Sequence, residues 1–114
     1  MIIGIDLDDV LADFFPIFLA FCNEEYNEQF CMEDFVHYQF AEIMGITREE
    51  SLARLTRFDN SEAKKNILPM LGAQKTITRL LQRHELHIVT ARPVEIAVGT
   101  REWIEQHLLP VPLK

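Results

Sequence analysis

The chain has 114 residues, of which 48% are apolar, and this suffices for one domain with a modest core. Its net charge of -7 argues against binding to nucleic-acid polymers, because phosphate backbones are bound by clustered lysine and arginine. No apolar run reaches the roughly 18 residues of a membrane span, and the N-terminus lacks the features of a secretion signal. We therefore expect a cytoplasmic protein without membrane association, for which a small phosphate ester remains a candidate ligand.

The cysteines and histidines do not suggest a metal site. Cys22 and Cys31 have the spacing of neither a metal-binding pair nor a disulfide framework, and both lie among aromatic residues, so we expect buried free thiols. The histidines lack zinc-ligand spacing and are expected in solvated or structural roles: His37, His84, His87 and His107.

The N-terminal part predicts a strand followed by a helix. The apolar run Ile2 to Ile5 shows no polar alternation, which is typical of a strand buried on both faces of a parallel sheet. A helix is expected from about Asp13, with Pro16 tolerated in its first turn. Its inner face should consist of residues at helical spacing, in core packing rather than in a ligand pocket: Phe14, Phe18, Phe21 and Cys22.

The middle of the chain, up to Pro69, predicts short helices. Gly45 is expected to end one helix. Thr47 and Glu50 match a capping box, which predicts a helix that runs to about Arg57. Two shorter helices are expected, one near Glu33 to His37 and one through Asn66.

Regular patterns return after Gly72. A helix is predicted first, then a strand at Leu86–Thr90, then a helix that Pro93 opens and that runs to about His107. The prolines of residues 109–114 make a third strand there only weakly supported. The two helices should bury one face each: Ala73, Ile77, Leu80 and Leu81 in the first, and Ala97, Trp103, Ile104 and Leu108 in the second.

This order of elements predicts an α/β fold with a parallel sheet. Residues 13–68 are too many for a simple crossover, and we expect them to form a small helical cap over the carboxyl ends of the strands. Residues 1–12 and 69–114 would then form the α/β core.

The strongest chemical signal is the pair Asp6 and Asp8 at the carboxyl end of the first strand. The period of a strand places both side chains toward one side if the extended conformation continues. Two close carboxylates repel each other, so such a pair indicates a bound cation or a shared proton. Both conditions suit phosphoryl transfer, in which one carboxylate forms an aspartyl-phosphate and the other protonates the leaving oxygen. The simpler alternative is that these residues, with Asp9, cap the next helix; the strand that ends at Thr90 favours the chemical interpretation.

Two motifs of this chain resemble those of the haloacid dehalogenase-like superfamily. Asp6-Leu7-Asp8-Asp9-Val10 matches its first motif, DxDx(V/T), and Leu86-His87-Ile88-Val89-Thr90 is similar to its second. The strings from Asp6 to Phe14 and from Pro69 to Pro93 look like the branch of the 5'(3')-deoxyribonucleotidases. The resemblance implies an incomplete Rossmann-like parallel sheet with a small helical cap inserted after the first strand.

The resemblance also implies residue roles and a Mg²⁺ cofactor. Asp6 would be the nucleophile and a metal ligand, and Asp8 the general acid/base, with its main-chain carbonyl also at the metal. Thr90 and the amide of Ala91 would hold the phosphoryl group. Arg92 would contact substrate or lie as a solvated loop residue, two alternatives that the sequence leaves open. Outside this set, Asp9 and Asp13 are expected to serve capping and cap positioning.

The later motifs of the superfamily, a lysine and a C-terminal acidic group, are not found in these 114 residues. The acidic residues after Thr90 fall in a predicted helix, and they are Glu95, Glu102 and Glu105. Lys114 is expected to be solvated. We therefore expect a truncated chain with weakened magnesium binding. An open apolar edge on the first strand should be covered by homo-oligomerisation or segment exchange.

The sequence thus predicts a magnesium-dependent phosphohydrolase of the haloacid dehalogenase type, acting on a small phosphate monoester such as a nucleotide. The alternative is a truncated relative without turnover that serves as a binding or interaction module. A receiver-like phosphoacceptor is disfavoured by the DxD spacing and by the large insert. Substrate identity depends on cap aromatics that stack a base or, as we favour, fill the cap core: Phe18, Tyr26, Phe35 and Tyr38.

Overall fold

The computed structural model describes residues 1–35 and 40–108 and has the predicted order of elements. In these residues the strands are β1 (Ile2–Asp6) and β2 (Glu85–Val89). The α-helices there are α1 (Phe15–Glu25), α2 (Phe40–Met44), α3 (Arg48–Asp59), α4 (Ala73–Leu81) and α5 (Ala97–His107). Short 3-10 turns lie at Met32–Asp34, Glu62–Asn66 and Val94–Ile96. The architecture is mixed α/β, which confirms the predicted fold class of an incomplete Rossmann-like haloacid dehalogenase fold.

The chain divides into two compact units. The core unit consists of Met1–Phe14 and the segment that starts at Ile67, and the helical unit is Phe15–Asn66. The use of the helical unit as a cap, with the boundaries given above, stays a prediction.

The sheet of the core unit consists, in the described residues, of β1 and β2 in parallel. The register pairs Ile2 with Glu85 and Asp6 with Val89. In β2 the alternate residues Leu86 and Ile88 are buried in the core. The prediction that β1 is buried on both faces is wrong, since Ile2 is 68% exposed. A strand is covered on both faces only where neighbouring elements cover both, and an apolar run alone does not supply them.

Both helices of the core unit form as amphipathic helices, but α5 begins later than predicted. Ala73 and Ile77 of α4 are buried, and Ile104 of α5 and Leu108 just after it are buried. Pro93 keeps an extended conformation as the cap of the 3-10 turn at Val94–Ile96, so the α-helix starts at Ala97 instead. The remaining residues of the two predicted faces are half-buried: Leu80, Leu81, Ala97 and Trp103.

In the helical unit, α1 buries Phe18, Leu19 and Cys22. Leu19 was not predicted for the inner face, Phe21 is only half-buried, and Phe14 is buried in the core unit. An amphipathic helix can bury a stripe wider than the aromatic positions alone, which accounts for Leu19.

The predicted helix boundaries of the helical unit are largely confirmed. Gly45 follows α2 with a positive φ of 69°, a conformation that glycine adopts without strain. The Thr47 hydroxyl accepts a hydrogen bond from the Glu50 amide at 3.0 Å, which caps α3. The Glu50 carboxylate accepts from Arg54 of the same helix, at 3.3 Å. Thr47 therefore caps α3 as predicted, while the Glu50 side chain pairs with Arg54 and does not close the capping box.

Cys22 is buried and Cys31 is exposed, both as free thiols, so the prediction of two buried thiols is wrong for Cys31. Cys31 lies on the loop before the turn at Met32–Asp34, outside the helical packing. That turn is what forms near the predicted helix at Glu33 to His37. His37, Tyr38 and the predicted strand at 109–114 with Lys114 lie outside the described residues.

In the described residues the α-helices are 5 to 12 residues long, whereas a membrane span needs about 20. None of them is both long and apolar enough to cross a bilayer.

Candidate active site

The carboxyl ends of β1 and β2 bring the predicted site residues to one edge of the sheet. Asp6 ends β1 and is level with Val89, the last residue of β2. Thr90 follows immediately. Parallel strands that share a register end at the same edge, so Asp6 and Thr90 reach the same side of the core unit.

The loop after β1 folds tightly around Leu7. The Leu7 side chain is fully buried, and its carbonyl accepts hydrogen bonds from the amides of Val10, Leu11 and Ala12 at 3.3, 2.8 and 2.9 Å. Asp9 has a positive φ of 62°, in the left-handed region that short polar residues tolerate better than most. Burial of Leu7 anchors the loop between the two aspartates, so their positions are set by the fold of the loop.

A second set of main-chain bonds ties this loop to the segment before α4. The Asp13 amide donates to the Leu68 carbonyl at 2.9 Å, and the Met70 amide donates to the Leu11 carbonyl at 2.8 Å. Ala12 and Pro69 form an antiparallel bridge. The loop is therefore fixed at both its strand end and its far end.

Asp6 lies exposed at the end of β1. Its Oδ1 accepts a hydrogen bond from the Leu7 amide at 2.8 Å. A main-chain donor on one oxygen orients the carboxylate and leaves it further acceptor capacity, since a carboxylate has about four lone-pair positions. The geometry suits a carboxylate that meets an incoming group from solvent.

Asp8 forms an ion pair with Arg92. The Arg92 Nε donates to Asp8 Oδ2 at 2.9 Å and lies 3.2 Å from Oδ1, while Nη2 donates to Oδ1 at 2.5 Å. The side chains of Arg92 and Asp8 are 10% and 24% exposed. The solvated-loop alternative for Arg92 is therefore wrong, because its charge is engaged with a carboxylate and largely covered.

Two further residues that the sequence analysis missed complete the surroundings of Arg92. Its Nη1 donates to the Thr100 hydroxyl at 3.1 Å, and the Phe14 ring centre lies 5.2 Å from its Cζ. Thr100 is 1% exposed and donates to the Ile96 carbonyl at 2.9 Å. The spacing of Ile96, Thr100 and Ile104 could have indicated Thr100 from the sequence. A threonine within an apolar helical stripe is buried and needs a hydrogen-bond partner.

Thr90 and Ala91 lie between β2 and Arg92. The Thr90 hydroxyl accepts from the Arg92 amide at 3.1 Å, which closes a short turn after the strand. The hydroxyl proton is still available for donation, and Ala91 is exposed. Thr90 and Arg92 are thus joined through the main chain, while Arg92 reaches Asp8 through its side chain.

The acidic residues do not gather into a metal cluster in the part of the chain that the structure describes. No three Asp, Glu, His or Cys side chains there group closely enough to hold a metal ion. Glu95 lies in the 3-10 turn before α5, and Glu102 and Glu105 lie in α5. Of the two candidate ligands, Asp8 directs its carboxylate to Arg92, so Asp6 is the carboxylate better placed for a cation.

Three of the four candidate base-stacking residues lie in the described part of the chain, and they pack against other side chains. Phe18 is fully buried, with Phe58 at a ring-centre distance of 5.4 Å. Tyr26 carries the Arg54 guanidinium 3.9 Å from its ring centre, and Phe35 contacts Phe15 at 4.9 Å. Phe18 therefore packs in the core, as predicted.

The chain was compared with known families and proteins. A family model described as "5' nucleotidase, deoxy (Pyrimidine), cytosolic type C protein" matches residues 1–114. "Putative nucleotidase BH1399" of Halalkalibacterium halodurans is 31% identical over 111 residues, which cover 94% of this chain and 54% of that protein. "Putative nucleotidase YqfW" of Bacillus subtilis is 24% identical over 104 residues, which cover 91% of this chain and 53% of that protein.

The chain spans about half the length of these curated relatives. The match of the family model nevertheless extends over every residue, and it includes both motifs at the strand ends. The predicted resemblance is confirmed, and the chain belongs to the family of the 5' nucleotidase, deoxy (pyrimidine), cytosolic type C proteins, within the haloacid dehalogenase-like fold.

Proposed function

We propose that this chain carries the catalytic aspartates of a magnesium-dependent phosphohydrolase that acts on a small phosphate monoester. A nucleotide is the proposed substrate, because the family and both relatives are named as nucleotidases. The proposed intermediate is an aspartyl-phosphate on Asp6.

One observation carries the proposal. An exposed carboxylate, a carboxylate paired with an arginine and a hydroxyl all lie at or just beyond the carboxyl ends of the two paired strands. Asp6 is exposed at the end of β1, Asp8 is held by Arg92, and Thr90 follows the neighbouring strand. A nucleophile, an acid/base group and a phosphate-binding donor are the parts that phosphoryl transfer through a covalent intermediate requires.

The proposed first step transfers the phosphoryl group to the protein. An Asp6 carboxylate oxygen attacks phosphorus, the bond from phosphorus to the ester oxygen breaks, and the leaving oxygen takes a proton from Asp8. In the second step a water attacks phosphorus and gives a proton to Asp8, and the bond between phosphorus and the Asp6 oxygen breaks. Phosphate leaves, and the Asp6 carboxylate is restored. The Thr90 hydroxyl and the Ala91 amide would hold the phosphoryl oxygens throughout.

Mg²⁺ is the proposed cofactor, with Asp6 and Asp8 as its protein ligands. Mg²⁺ commonly binds one or two carboxylates and fills its other positions with water and substrate phosphate oxygens. An Asp6 carboxylate and the Asp8 main-chain carbonyl are hard oxygen donors of that kind, whereas the Asp8 side chain is engaged by Arg92. Bound there, the ion would neutralise charge on the phosphoryl group during transfer.

The test compares the chain with Asp6→Asn on an aryl phosphate with and without Mg²⁺. We expect Asp6→Asn to lower turnover by about 10³-fold or more, because removal of a nucleophile leaves only binding and electrostatic effects. Asp9→Asn is the matched control, since it makes the same change in the same loop at a positive φ that asparagine tolerates. Equal turnover in the chain and in Asp6→Asn would contradict the enzyme proposal and favour a binding or interaction module without turnover.

We also propose that the outer edge of β1 is covered by a second copy of the chain or by segment exchange. In the described residues β1 pairs only with β2, and Ile2 is 68% exposed. An open apolar strand edge is a template for pairing with another chain. Light scattering should give a mass above that of one chain at micromolar concentration, and a cooperative monomer would contradict the proposal.

A further inference from the structure

The Arg92 side chain is held from three directions. Its Nε and Nη2 donate to Asp8, its Nη1 donates to the Thr100 hydroxyl, and its Cζ lies 5.2 Å from the Phe14 ring centre. The planar guanidinium presents its donors in a fixed fork, so two hydrogen-bond partners at three nitrogens, together with the ring, fix both its position and its rotation.

Thr100 sets the direction of that fork. A hydroxyl has one proton, and Thr100 donates it to the Ile96 carbonyl of the preceding turn at 2.9 Å. The lone pairs that remain can only accept, and Arg92 Nη1 supplies the donor at 3.1 Å. Thr100 is 1% exposed, so water does not compete for this position. The helix α5 thus fixes Arg92, and Arg92 in turn holds Asp8.

The consequence for Asp8 is orientation of its carboxylate without complete enclosure. Both Asp8 oxygens accept from Arg92, yet the side chain is 24% exposed. A carboxylate has about four lone-pair positions, so capacity for a further partner is left on the open side. An acid/base group gains rate from being held in one orientation, and misplacement by about 1 Å can cost about 10²-fold.

We propose that Arg92 and Thr100 are positioning residues that orient Asp8 toward the leaving oxygen; this inference rests on the proposed function. Neither residue touches the reacting atoms in this role. Arg92 acts through the carboxylate of Asp8, and Thr100 acts through the guanidinium of Arg92. If the pair were purely structural, it would only tie the loop after β1 to the segment after β2. Its loss would then affect every class of substrate equally.

The test uses substitutions that remove the geometry and keep the shape or the charge. Thr100→Val removes the hydroxyl at nearly constant volume, and Arg92→Lys keeps the positive charge but loses the fork. Thr78→Val is the matched control, because Thr78 on α4 also donates to the carbonyl four residues earlier, that of Gln74 at 2.9 Å, but is exposed.

The readout is the dependence of kcat/KM on the leaving group, because kcat/KM reports the first step, in which the ester bond breaks, and not the attack of water on the common intermediate. An aryl ester such as p-nitrophenyl phosphate needs little protonation of its leaving oxygen, whereas a nucleoside monophosphate, with an alkoxide leaving group, needs much more. We expect Thr100→Val and Arg92→Lys to lower kcat/KM on the nucleoside monophosphate by about 10-fold or more and on the aryl ester by about 3-fold or less. KM should change by less than about 2-fold, since substrate contacts are kept.

A second readout does not depend on turnover. The Arg92 Nε–H should give an NMR signal that exchanges slowly with water in the chain and in Thr78→Val. In Asp8→Asn it should exchange as fast as that of an exposed arginine. An Arg92 signal that exchanges quickly in the unsubstituted chain would overturn the inference.

The outcomes separate the two proposals. An equal fall of kcat/KM on both esters, or no fall in either variant, overturns the positioning role and leaves the phosphohydrolase in place. Absence of turnover on both esters in the unsubstituted chain overturns the proposed function, and the positioning role with it.

Discussion

Each of the two units contains a nearly buried arginine that donates hydrogen bonds to one carboxylate from two nitrogens. In the helical unit, Arg54 donates to Glu28 at 2.7 and 3.0 Å, with side chains 6% and 21% exposed. In the core unit, Arg92 and Asp8 show almost the same exposures, 10% and 24%. Burial therefore does not distinguish the two sites. Arg54 pairs through Nη1 and Nη2 and Arg92 through Nε and Nη2, and the other partners of the two arginines also differ.

The side chains around Arg54 indicate a role in the packing of the helical unit. A second carboxylate, Glu50, lies 3.3 Å from its Nε, and the Tyr26 ring centre lies 3.9 Å from its Cζ. The hydrogen bond to Glu28 raises the pKa of Arg54, against the opposing effect of burial, so it is a permanent cation. All these partners belong to the helical unit, where they join the segment that follows α1 to α3.

Arg92 differs because it lies between a hydroxyl and one carboxylate at the ends of the strands. The remaining nitrogen of Arg92, Nη1, donates to the Thr100 hydroxyl, whereas Nε of Arg54 donates to a second carboxylate. The same ion-pair chemistry thus stabilises helical packing in one unit, while in the other it holds a single acidic group beside Asp6. The comparison predicts that loss of Arg54 is mainly a defect of folding and loss of Arg92 mainly one of function.

The largest effect on stability is expected from Arg54→Met. It leaves Glu28 largely buried without its cation and facing Glu50, and removal of one partner of a buried pair typically costs about 3–5 kcal/mol. The free energy of unfolding from urea titration measures the loss.

The control for this substitution is Arg57→Met on the same helix. Arg57 pairs with Glu25 at 3.6 Å and its side chain is 59% exposed, so we expect a loss of about 0–1 kcal/mol. Equal losses from Arg54→Met and Arg57→Met would show that the Arg54 cluster does not stabilise the helical unit.

Arg92→Met should destabilise the protein less than Arg54→Met does. It leaves one carboxylate, Asp8, without a cation, whereas Arg54→Met leaves two. We therefore expect a loss of about 1–3 kcal/mol in the free energy of unfolding, from the same urea titration. Turnover should nevertheless fall, since Asp8 loses its orientation. A loss of stability as large as that of Arg54→Met would remove the distinction between the two arginines.

The thiols test whether burial or the Arg54 cation dominates around α1. Burial raises the pKa of the Cys22 thiol to about 11 from its ordinary value of 9.0, although Arg54 acts to lower it. At pH 8 we expect Cys31, which is exposed, to react promptly with a disulfide reagent and Cys22 to react only after unfolding. In Cys31→Ser the prompt reaction should vanish; a prompt reaction that persists would mean that the cation dominates.

The raised Cys22 pKa also predicts a pH dependence of stability. The fold favours the neutral thiol, so this contribution is fully present below about pH 9 and is lost as the pH rises toward about 11. Urea titrations at pH 8 and above pH 10 measure it. The pH-dependent loss should be smaller in Cys22→Val, which has no group to ionise, than in the unsubstituted chain.

The sequence predicted the strand ends well because their signals are local. Asp6 and Asp8 follow an apolar run, Thr90 follows a second one, and strands paired in parallel bring such residues to one edge. By contrast, the Asp8–Arg92 pair joins residues 84 positions apart. Its geometry depends on where α5 places Thr100, and no local pattern encodes that position.

The wrong predictions have the same origin. Ile2 lies in an apolar run, but its exposure depends on what lies beside β1. Cys31 has aromatic neighbours in sequence, yet it lies on a loop outside the packed helices. Pro93 is compatible with the first position of a helix and also with the cap of a 3-10 turn, and the turn that forms buries Ile96 in the core. Each miss concerns tertiary surroundings that one segment does not determine.

The smallest effects are expected from a pair of glycines, one in each unit, which test whether the two units tolerate the same strain equally. Gly45 and Gly72 have φ values of 69° and 84°, and a Cβ added to either would meet nothing within 4 Å. Substitution by alanine should therefore cost only the backbone strain, about 1 kcal/mol at each position.

Asparagine, which tolerates the left-handed region better, should lose less than alanine at both positions. Urea titration of the four variants gives the comparison. If Gly45→Ala and Gly72→Ala cost the same, a difference between Arg54→Met and Arg92→Met reflects the partners of the two arginines. If one alanine variant loses several times more than the other, the units differ in general tolerance, and the difference between the arginine variants no longer measures the electrostatic surroundings.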